Sequence, residues 1–264
     1  MSTNQSRRVA IVTGASRGVG RGVAVALADH GYSVFGTGRT VETASLPESV
    51  IRIRCDHTDD AQTDGAFSRV LETAGRIDLL VNSAWGGYER MVDAGAFTWG
   101  VPFWRQPAHR WTSMMDAGVR AAFIASSNAA RVMVPARRGL IVNISFWAAQ
   151  KYIGNAIYGV SKAATDKLTA DMAQELREHG VAAISLYPGM VRTEAVMEAA
   201  KAGWLDTSNS ESPEFIGRVI AAIAGDSSLP AYSGQVVVAA DIARRLGVGD
   251  IDGRQPIVLT LEKV

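Results

Sequence analysis

The chain has 264 residues, with 27 basic and 26 acidic side chains and a net charge of +1. This balance provides no basic excess to favour nucleic acid or an anionic membrane surface, and no run of about 18 apolar residues is present to span a bilayer. The single cysteine, Cys55, excludes an internal disulfide. Together with a polar leader that does not fit a signal peptide, it predicts a reducing, cytoplasmic location.

Apolar runs typical of buried strands alternate along the chain with segments of helical periodicity. We predict strands at 8–13, 32–37, 50–55, 77–82, 139–145, 181–187 and 234–239. Helices are predicted at 18–30, 59–75, 109–135, 156–179 and 212–225, with a shorter one at 193–203. Residues 40–49 fit either a short helix or a loop. This alternation predicts one α/β domain over residues 1–264, with a Rossmann-type doubly wound parallel seven-stranded sheet and helices on both faces.

A glycine-rich segment follows the first predicted strand and opens the first predicted helix. It reads Thr13-Gly14-Ala15-Ser16-Arg17-Gly18-Val19-Gly20. A strand, a glycine loop and a helix in this order direct backbone N–H groups and a helix N-terminus at a pyrophosphate. The spacing is Gly-x-x-x-Gly-x-Gly rather than the Gly-x-Gly-x-x-Gly of the dinucleotide fingerprint. On its own the segment could also be a tight turn that binds no ligand.

The end of the second predicted strand carries the information about cofactor choice. NAD-binding folds place an acidic residue there to bond the ribose 2′-OH, whereas this chain has Gly38 followed by Arg39. Arg17 adds a second guanidinium within the glycine loop. Because Arg pairs bidentately with phosphate oxygens, these residues favour the 2′-phosphate of NADP(H). The alternative is that both are solvated surface arginines.

A serine, a tyrosine and a lysine follow the fifth predicted strand. Ser145 ends that strand, Tyr158 is 13 residues later, and Lys162 is four residues beyond Tyr158. Residues four apart lie one turn apart on a helix face, where an ammonium lowers a phenol pKa toward the range of a general acid or base. A hydroxyl at the carboxyl end of a strand faces the ligand crevice of an open α/β sheet. The Tyr–Lys spacing alone arises by chance, but together these residues predict an acid–base site.

These motifs together resemble the single-domain short-chain dehydrogenase/reductase family over nearly the whole chain. Asp56 follows the third strand, where the family has an Asp that contacts the adenine. Asn82-Ser83-Ala84 matches most of the family's Asn-Asn-Ala-Gly, and residues 187–193 match its Pro-Gly-x-Val-x-Thr, which lies along the nicotinamide. Residues 103–108 and 233–247 are similar to one branch of the family, that of dehydrogenase/reductase SDR family member 1 and its bacterial relatives.

The resemblance implies hydride transfer between the nicotinamide C4 and a substrate carbon. Tyr158 is then the proton donor or acceptor, Ser145 orients the substrate oxygen, and Lys162 lowers the Tyr158 pKa and holds the ribose. The implied cofactor-binding residues are Gly14, Ser16, Arg17, Gly18, Val19, Gly20, Arg39, Asp56, Asn82, Ser83, Ala84, Tyr158, Lys162, Pro188, Gly189, Val191 and Thr193.

The resemblance also implies a homotetramer, or alternatively a dimer, in which the helices 109–135 and 156–179 pair across subunits. We expect their alanine-rich outer faces to allow the helices to approach closely. The alanines are Ala121, Ala125 and Ala129 on the first helix and Ala163 and Ala170 on the second.

The aromatic residues are concentrated where a substrate would bind. Of 19 aromatics, seven fall between residues 85 and 111: Trp85, Tyr88, Phe97, Trp99, Phe103, Trp104 and Trp111. We predict a substrate loop at about 85–110 and, as in the family, a lid at about 190–212. Trp85, Trp147 and Trp204 are the predicted pocket residues, and their large apolar surfaces favour a bulky apolar small molecule as the substrate. The alternative is that some of these aromatics pack under loops or in a subunit interface.

One position departs from the family. Its fourth catalytic residue, an Asn that helps to hold a proton-relaying water, is replaced by Gly118, seven residues after Trp111. Because glycine weakens a helix by about 1 kcal/mol relative to Ala, we expect the helix to open there. We further expect a backbone carbonyl and a water in the vacated volume to carry the relay to Lys162, so that Gly118→Asn is tolerated.

Three functions from different classes remain open. The first is an NADP(H)-dependent oxidoreductase acting on a bulky carbonyl or alcohol. The second is a catalytically weak NADP-binding sensor, and the third is a lyase or isomerase that uses bound nicotinamide transiently. A serine hydrolase is disfavoured because Ser145 lacks a Gly-x-Ser-x-Gly elbow, and the four histidines have no metal-ligand spacing.

Overall fold

Seven parallel strands form the central sheet of the computed structural model, which describes residues 7–88, 91–93, 96–201, 203 and 206–264. They are β1 (Val9–Thr13), β2 (Ser33–Gly38), β3 (Ile51–Arg54), β4 (Leu79–Asn82), β5 (Gly139–Ile144), β6 (Val181–Tyr187) and β7 (Val236–Val238). Their order across the sheet is β3-β2-β1-β4-β5-β6-β7, and all six pairings are parallel. The order reverses between β1 and β4, which is where such sheets open a ligand crevice. The predicted fold class is confirmed.

The helices of the described residues are also close to those predicted. They are α1 (Gly18–Asp29), α2 (Asp60–Ala74), α3 (His109–Met114), α4 (Ala121–Ala136), α5 (Ala156–Leu176), α6 (Glu194–Lys201), α7 (Pro213–Gly225), α8 (Leu229–Tyr232) and α9 (Ala239–Leu246). The helices α8 and α9 were not predicted from the sequence. For α9 the reason is that it has only eight residues, a length at which periodicity does not separate a helix from a strand. Residues 40–49 form a short 3₁₀ turn at Val41–Thr43 and then a loop.

Two apolar cores lie on opposite faces of the sheet. Ala10 and Val12 of β1 point into a core shared with α1, α7 and α9, whereas Val9 and Ile11 point into a core shared with α2, α4 and α5. This alternation follows from the two-residue period of a strand. Because each face must be covered, helices pack on both sides of the sheet, and the strand ends remain available for the site.

The alanines expected on the outer face of α4 are in fact internal. Ala121, Ala125 and Ala129 of α4 are all buried, and the last two belong to the core beneath the sheet. The prediction of an alanine-rich outer face is therefore wrong for α4. The large apolar side chain that α4 leaves exposed is Phe123.

The helix predicted at 109–135 is divided in two. Between α3 and α4 the chain forms a π-helical segment at Met115–Arg120, in which hydrogen bonds run from i to i+5. Gly118 lies inside this segment and is buried. The expected departure from the α-helical ladder at Gly118 is confirmed.

Two short ribbons lie outside the main sheet. One pairs Val92–Asp93 with Ala96–Phe97 in antiparallel fashion, within the predicted substrate loop. The other pairs Met190–Val191 with Ser210–Glu211 in parallel fashion and brackets the predicted lid, in which α6 lies. Among the described residues, no helix has the length and apolar character needed to cross a membrane.

Candidate active site

The glycine loop packs tightly against the end of β4. Gly14 has a φ of +69° and a Cβ there would lie 2.8 Å from the Ala84 backbone, while a Cβ at Gly20 would lie 2.3 Å from the Gly14 carbonyl oxygen. Only glycine meets both requirements. Thr13 completes the contact, since its Oγ1 accepts hydrogen bonds of 3.1 Å from the N–H groups of Ser83 and Ala84. Predicted cofactor residues from two strands are thus adjacent.

The N-terminus of α1 holds an anionic side chain of the protein itself. The Gly18 N–H, in the first turn beside Val19, donates to Glu194 Oε2 at 2.9 Å, and Arg21 Nε lies 3.2 Å from Glu194 Oε1. A helix N-terminus favours a negative charge through its free N–H groups and its dipole. The loop therefore offers an anion site where a pyrophosphate was predicted. Glu194 was not found from the sequence, because it is 176 residues away.

The end of β2 carries no acidic side chain. A Cβ at Gly38 would lie 2.6 Å from the Ser16 hydroxyl, so the carboxylate of an NAD-type site would require Ser16 to turn away. Arg39 and Arg17 are both exposed at this end of the sheet. Burial would raise the pKa of Asp56, but hydrogen bonds from Thr58 and the Arg39 charge lower it below its usual value. Arg39 and Asp56 therefore lie close enough to interact.

Asn82 has a structural role that the sequence did not predict. Its side-chain amide donates to Asn143 Oδ1 at 2.8 Å and to Ser126 Oγ at 2.9 Å. Asn143 in turn donates to Thr169 Oγ1 at 2.7 Å. All four side chains are buried, so this network ties β4, β5, α4 and α5 together and sets the position of residues 83 and 84.

Ser145, Tyr158 and Lys162 come together at the carboxyl end of β5. Tyr158 enters the first turn of α5, where its N–H bonds to the capping side chain of Asn155 at 3.0 Å. Lys162 Nζ donates to the Ile144 carbonyl at 3.1 Å, and Ser145 Oγ donates to the Lys162 carbonyl at 3.4 Å. Lys162 Nζ lies 5.9 Å from the centroid of the Tyr158 ring. All three predicted catalytic side chains are buried.

The electrostatics of this site differ from the prediction. Burial raises the pKa of Tyr158 well above 10, and the adjacent Tyr88 phenol raises it further. Burial also lowers the pKa of Lys162 to about 8, against the opposing effect of Asp166. Lys162 is not among the groups that act on the Tyr158 pKa, and the loss of hydration is the largest effect, so the predicted lowering by Lys162 is not seen for these residues on their own.

Aromatic rings enclose Tyr158. Its centroid lies 5.1 Å from that of Trp99, 5.5 Å from that of Trp85 and 6.4 Å from that of Phe146. Tyr88 packs edge-on against Trp85 at 4.7 Å. The predicted aromatic group therefore divides. Trp85 and Trp99 contact Tyr158 and Tyr88 packs on them from a more exposed position, whereas Phe97, Phe103, Trp104 and Trp111 are exposed and have no ring contact with Tyr158 among the described residues.

Trp147 has a different neighbour. It packs edge-on against Tyr187 with centroids 5.2 Å apart, and the Tyr187 hydroxyl donates to the Asp166 carboxylate. This phenol and carboxylate were not singled out from the sequence. The pocket role of Trp147 stays a prediction, and Trp204 lies outside the described residues.

The space beside Gly118 is filled by a side chain. A Cβ at Gly118 would lie 2.7 Å from Cδ1 of Trp85 and 3.3 Å from its Nε1, which is closer than real Cβ contacts. The indole thus occupies the volume in which we expected a water. The predicted place of the water is therefore wrong. The tolerance of Gly118→Asn stays a prediction, and the Asn side chain would overlap Trp85.

A buried glutamate holds the segment that contains Pro188, Gly189, Val191 and Thr193. Glu211 Oε2 accepts from the Gly189 N–H at 2.8 Å. Burial raises the pKa of Glu211 to about 7, and the nearby Asp250 charge adds to this effect. The segment reaches the glycine loop, since a Cβ at Gly18 would lie 3.3 Å from Thr193 Cγ2. Glu211 escaped the sequence analysis because it belongs to no motif.

Known proteins share this architecture and these motifs. A family model described as short chain dehydrogenase matches residues 8–203. The chain belongs to the short-chain dehydrogenase/reductase family. It is therefore an oxidoreductase of a family that acts on alcohol and carbonyl groups.

Individual relatives agree with the branch that the sequence indicated. The chain is 39% identical to Dehydrogenase/reductase SDR family member 1 of Mus musculus, over 94% of this chain and 84% of that protein. It is 39% identical to the Homo sapiens protein of the same name, over 96% and 86%. Among solved structures, ElxO with NADP bound has a TM-score of 0.76 at 20% identity and covers 88% of this chain and 97% of its own. That structural likeness supports the fold.

Proposed function

We propose that this protein transfers a hydride between NADP(H) and a bulky apolar carbonyl or alcohol, with Tyr158 as the general acid or base. The observation that carries the proposal is a buried tyrosine, next to Ser145 and Lys162, at the carboxyl end of β5 and enclosed by aromatic rings. Bound nicotinamide supplies or accepts the hydride.

The chain's own residues manage the proton and the substrate oxygen. Because the pKa of Tyr158 is raised, the phenol is protonated at neutral pH, which is the form that donates a proton to a carbonyl oxygen. In this mechanism the Ser145 hydroxyl hydrogen-bonds that oxygen. Lys162, whose pKa is about 8, remains mostly charged at neutral pH. These are the protonation states from which carbonyl reduction starts.

The anion site at the N-terminus of α1 supports a dinucleotide. The lack of an acidic side chain at Gly38 and the exposed guanidinium of Arg39 support NADP(H). The solved ElxO structure with NADP shares the fold. These residues fit a cofactor with a 2′-phosphate.

We expect NADPH to bind at least about tenfold more tightly than NADH, since a charged hydrogen-bonded pair contributes roughly 1.5–3 kcal/mol. Arg39→Asp should reverse this order, as measured by fluorescence titration with each cofactor. Arg69→Asp makes the same charge change at an exposed site on α2 and should leave the preference unchanged. Equal affinity of the unmodified protein for both cofactors contradicts the assignment.

The substrate class is tested by following absorbance of NADPH with ketones, quinones and aldehydes graded by size. The aromatic enclosure of Tyr158 predicts that kcat/KM increases with the apolar size of the substrate. Tight NADPH binding without turnover of any carbonyl would instead support the sensor. Substrate conversion without net loss of NADPH would support the lyase or isomerase.

A homotetramer is also proposed. Trp111 of α3, Phe123 of α4 and Val160 of α5 are 51%, 50% and 49% exposed, which gives these helices an apolar outer surface that pairing would cover. We expect light scattering at micromolar concentration to give four times the mass of one chain. Phe123→Asp should yield a smaller species, whereas Ile251→Asp, at an exposed apolar residue outside these helices, should not. A monomeric mass for the unmodified protein refutes the proposal.

A further inference from the structure

Trp85 is seated in a space made by two glycines. A Cβ at Gly118 would lie 2.7 Å from its indole, and a Cβ at Gly87 would lie 2.1 Å from it. The backbone that carries Trp85 is itself held, because the Gly86 N–H donates to the Ser113 carbonyl of α3 at 3.1 Å. The indole therefore has little freedom to move aside, and a side chain at either glycine requires that Trp85 be displaced or removed.

The face of this indole meets the Lys162 ammonium. Lys162 Nζ lies 5.0 Å from the Trp85 ring centroid, within the range of a cation–π interaction. The same ring lies 5.5 Å from that of Tyr158. Lys162 Nζ donates a hydrogen bond to the Ile144 carbonyl. The face of the Trp85 indole is a second favourable contact for this buried ammonium.

We propose that Trp85 is a positioning residue for Lys162: its indole, accommodated by Gly118 and Gly87, holds the ammonium from the side on which the family carries its Asn. Trp85 and Gly118 thus act as a coupled pair, since the bulky residue at one position requires the absence of a side chain at the other. The proposal deepens the proposed reductase function and rests on it for its kinetic consequences.

Burial and one nearby carboxylate set the pKa of Lys162. Asp166 on α5 raises the pKa of Lys162, whereas burial lowers it. The phenols of Tyr88 and Tyr187 act on Tyr158, the other titratable group of the site. Trp85→Leu leaves these side chains in place but reduces the burial of Lys162, which would raise its pKa, so a fall in that pKa reports the loss of the indole.

The first experiment follows Lys162 directly by NMR of ¹³Cε-labelled lysine. The chain has five lysines, and Lys162→Arg assigns the resonance. Trp85→Leu removes the aromatic face but keeps an apolar side chain, so the pKa of Lys162 should fall by about one unit. Trp104→Leu, at an exposed tryptophan, should leave this titration unchanged. An unchanged or raised pKa of Lys162 in Trp85→Leu overturns the proposal.

The second experiment exchanges the pair. Gly118→Asn alone should reduce kcat by about tenfold or more and lower the thermal stability, because the new side chain overlaps the indole. Adding Trp85→Gly should restore at least about tenfold of the lost kcat and part of the stability, as coupled neighbours do. If the two changes are additive in both kcat and stability, the pairing is wrong.

These readouts separate the two proposals. If no carbonyl is reduced, the proposed function fails, but the Lys162 titration and the stability coupling still test Trp85. If carbonyls are reduced and the Lys162 resonance does not respond to Trp85→Leu, the positioning role fails while the function stands.

Discussion

Replacing Tyr158 by Phe is expected to lower the turnover of carbonyl substrates by about 10² to 10⁴-fold while NADPH still binds. The substitution removes only the hydroxyl, and therefore the proton donor. The ring packing against Trp85 and Trp99 at 5.5 and 5.1 Å is retained, so the fold should be unaffected. NADPH oxidation measures the turnover, and a fluorescence titration measures the cofactor affinity.

Tyr152 provides a matched control for this change. It lies six residues before Tyr158 and is 72% exposed, so Tyr152→Phe should leave turnover unchanged. Near-normal turnover in Tyr158→Phe would remove the proposed acid from the mechanism. Loss of NADPH binding in the same variant would show that the effect is structural.

The second large effect concerns stability and pH. The pKa of Glu211 is raised by burial from 4.5 to about 7. Because the folded protein holds this proton more tightly than the unfolded chain, its contribution to stability is fully present below about pH 4.5 and is lost as pH rises through about 7. We expect the free energy of unfolding to decrease by about 3 kcal/mol over this interval from Glu211 alone.

Glu211→Gln should abolish that pH-dependent decrease. The amide oxygen can still accept the hydrogen bond from the Gly189 N–H, but no buried charge forms above pH 7. The variant should therefore be more stable than the unmodified protein at pH 8, and equally or less stable at pH 4.5. Urea unfolding at a series of pH values measures this, with Glu72→Gln at an exposed position on α2 as control. Parallel pH profiles for Glu211→Gln and the unmodified protein would rule out this titration.

Local patterns were sufficient for much of the fold and for the core of the site. Strand and helix periodicities are properties of neighbouring residues, so the seven strands were placed to within one or two residues. The glycine loop before α1 and the spacing of Ser145, Tyr158 and Lys162 are likewise short-range signals. The weak position at Gly118 was identified because glycine has a low helix propensity wherever it stands.

What occupies the space at Gly118 could not be read from the chain. Trp85 lies 33 residues before Gly118, and only the packing of the loop after β4 against the π-helical segment brings them together. Without that contact, a water was the natural candidate for the vacated volume. Similarly, the spacing of Ala121, Ala125 and Ala129 puts them on one helix face. The sequence did not say whether that face meets the sheet or the solvent.

The sequence by itself determined the fold class, the family and the proposed acid–base residues, because these depend on periodicity and on motifs with fixed spacing. The tertiary structure alone decided which distant side chains meet them. It placed Glu194 on the Gly18 N–H and Glu211 on the Gly189 N–H. It also decided that the pKa of Tyr158 is raised. The physical reason is that desolvation and side-chain contact depend on the packed environment, which residues far apart in the chain create together.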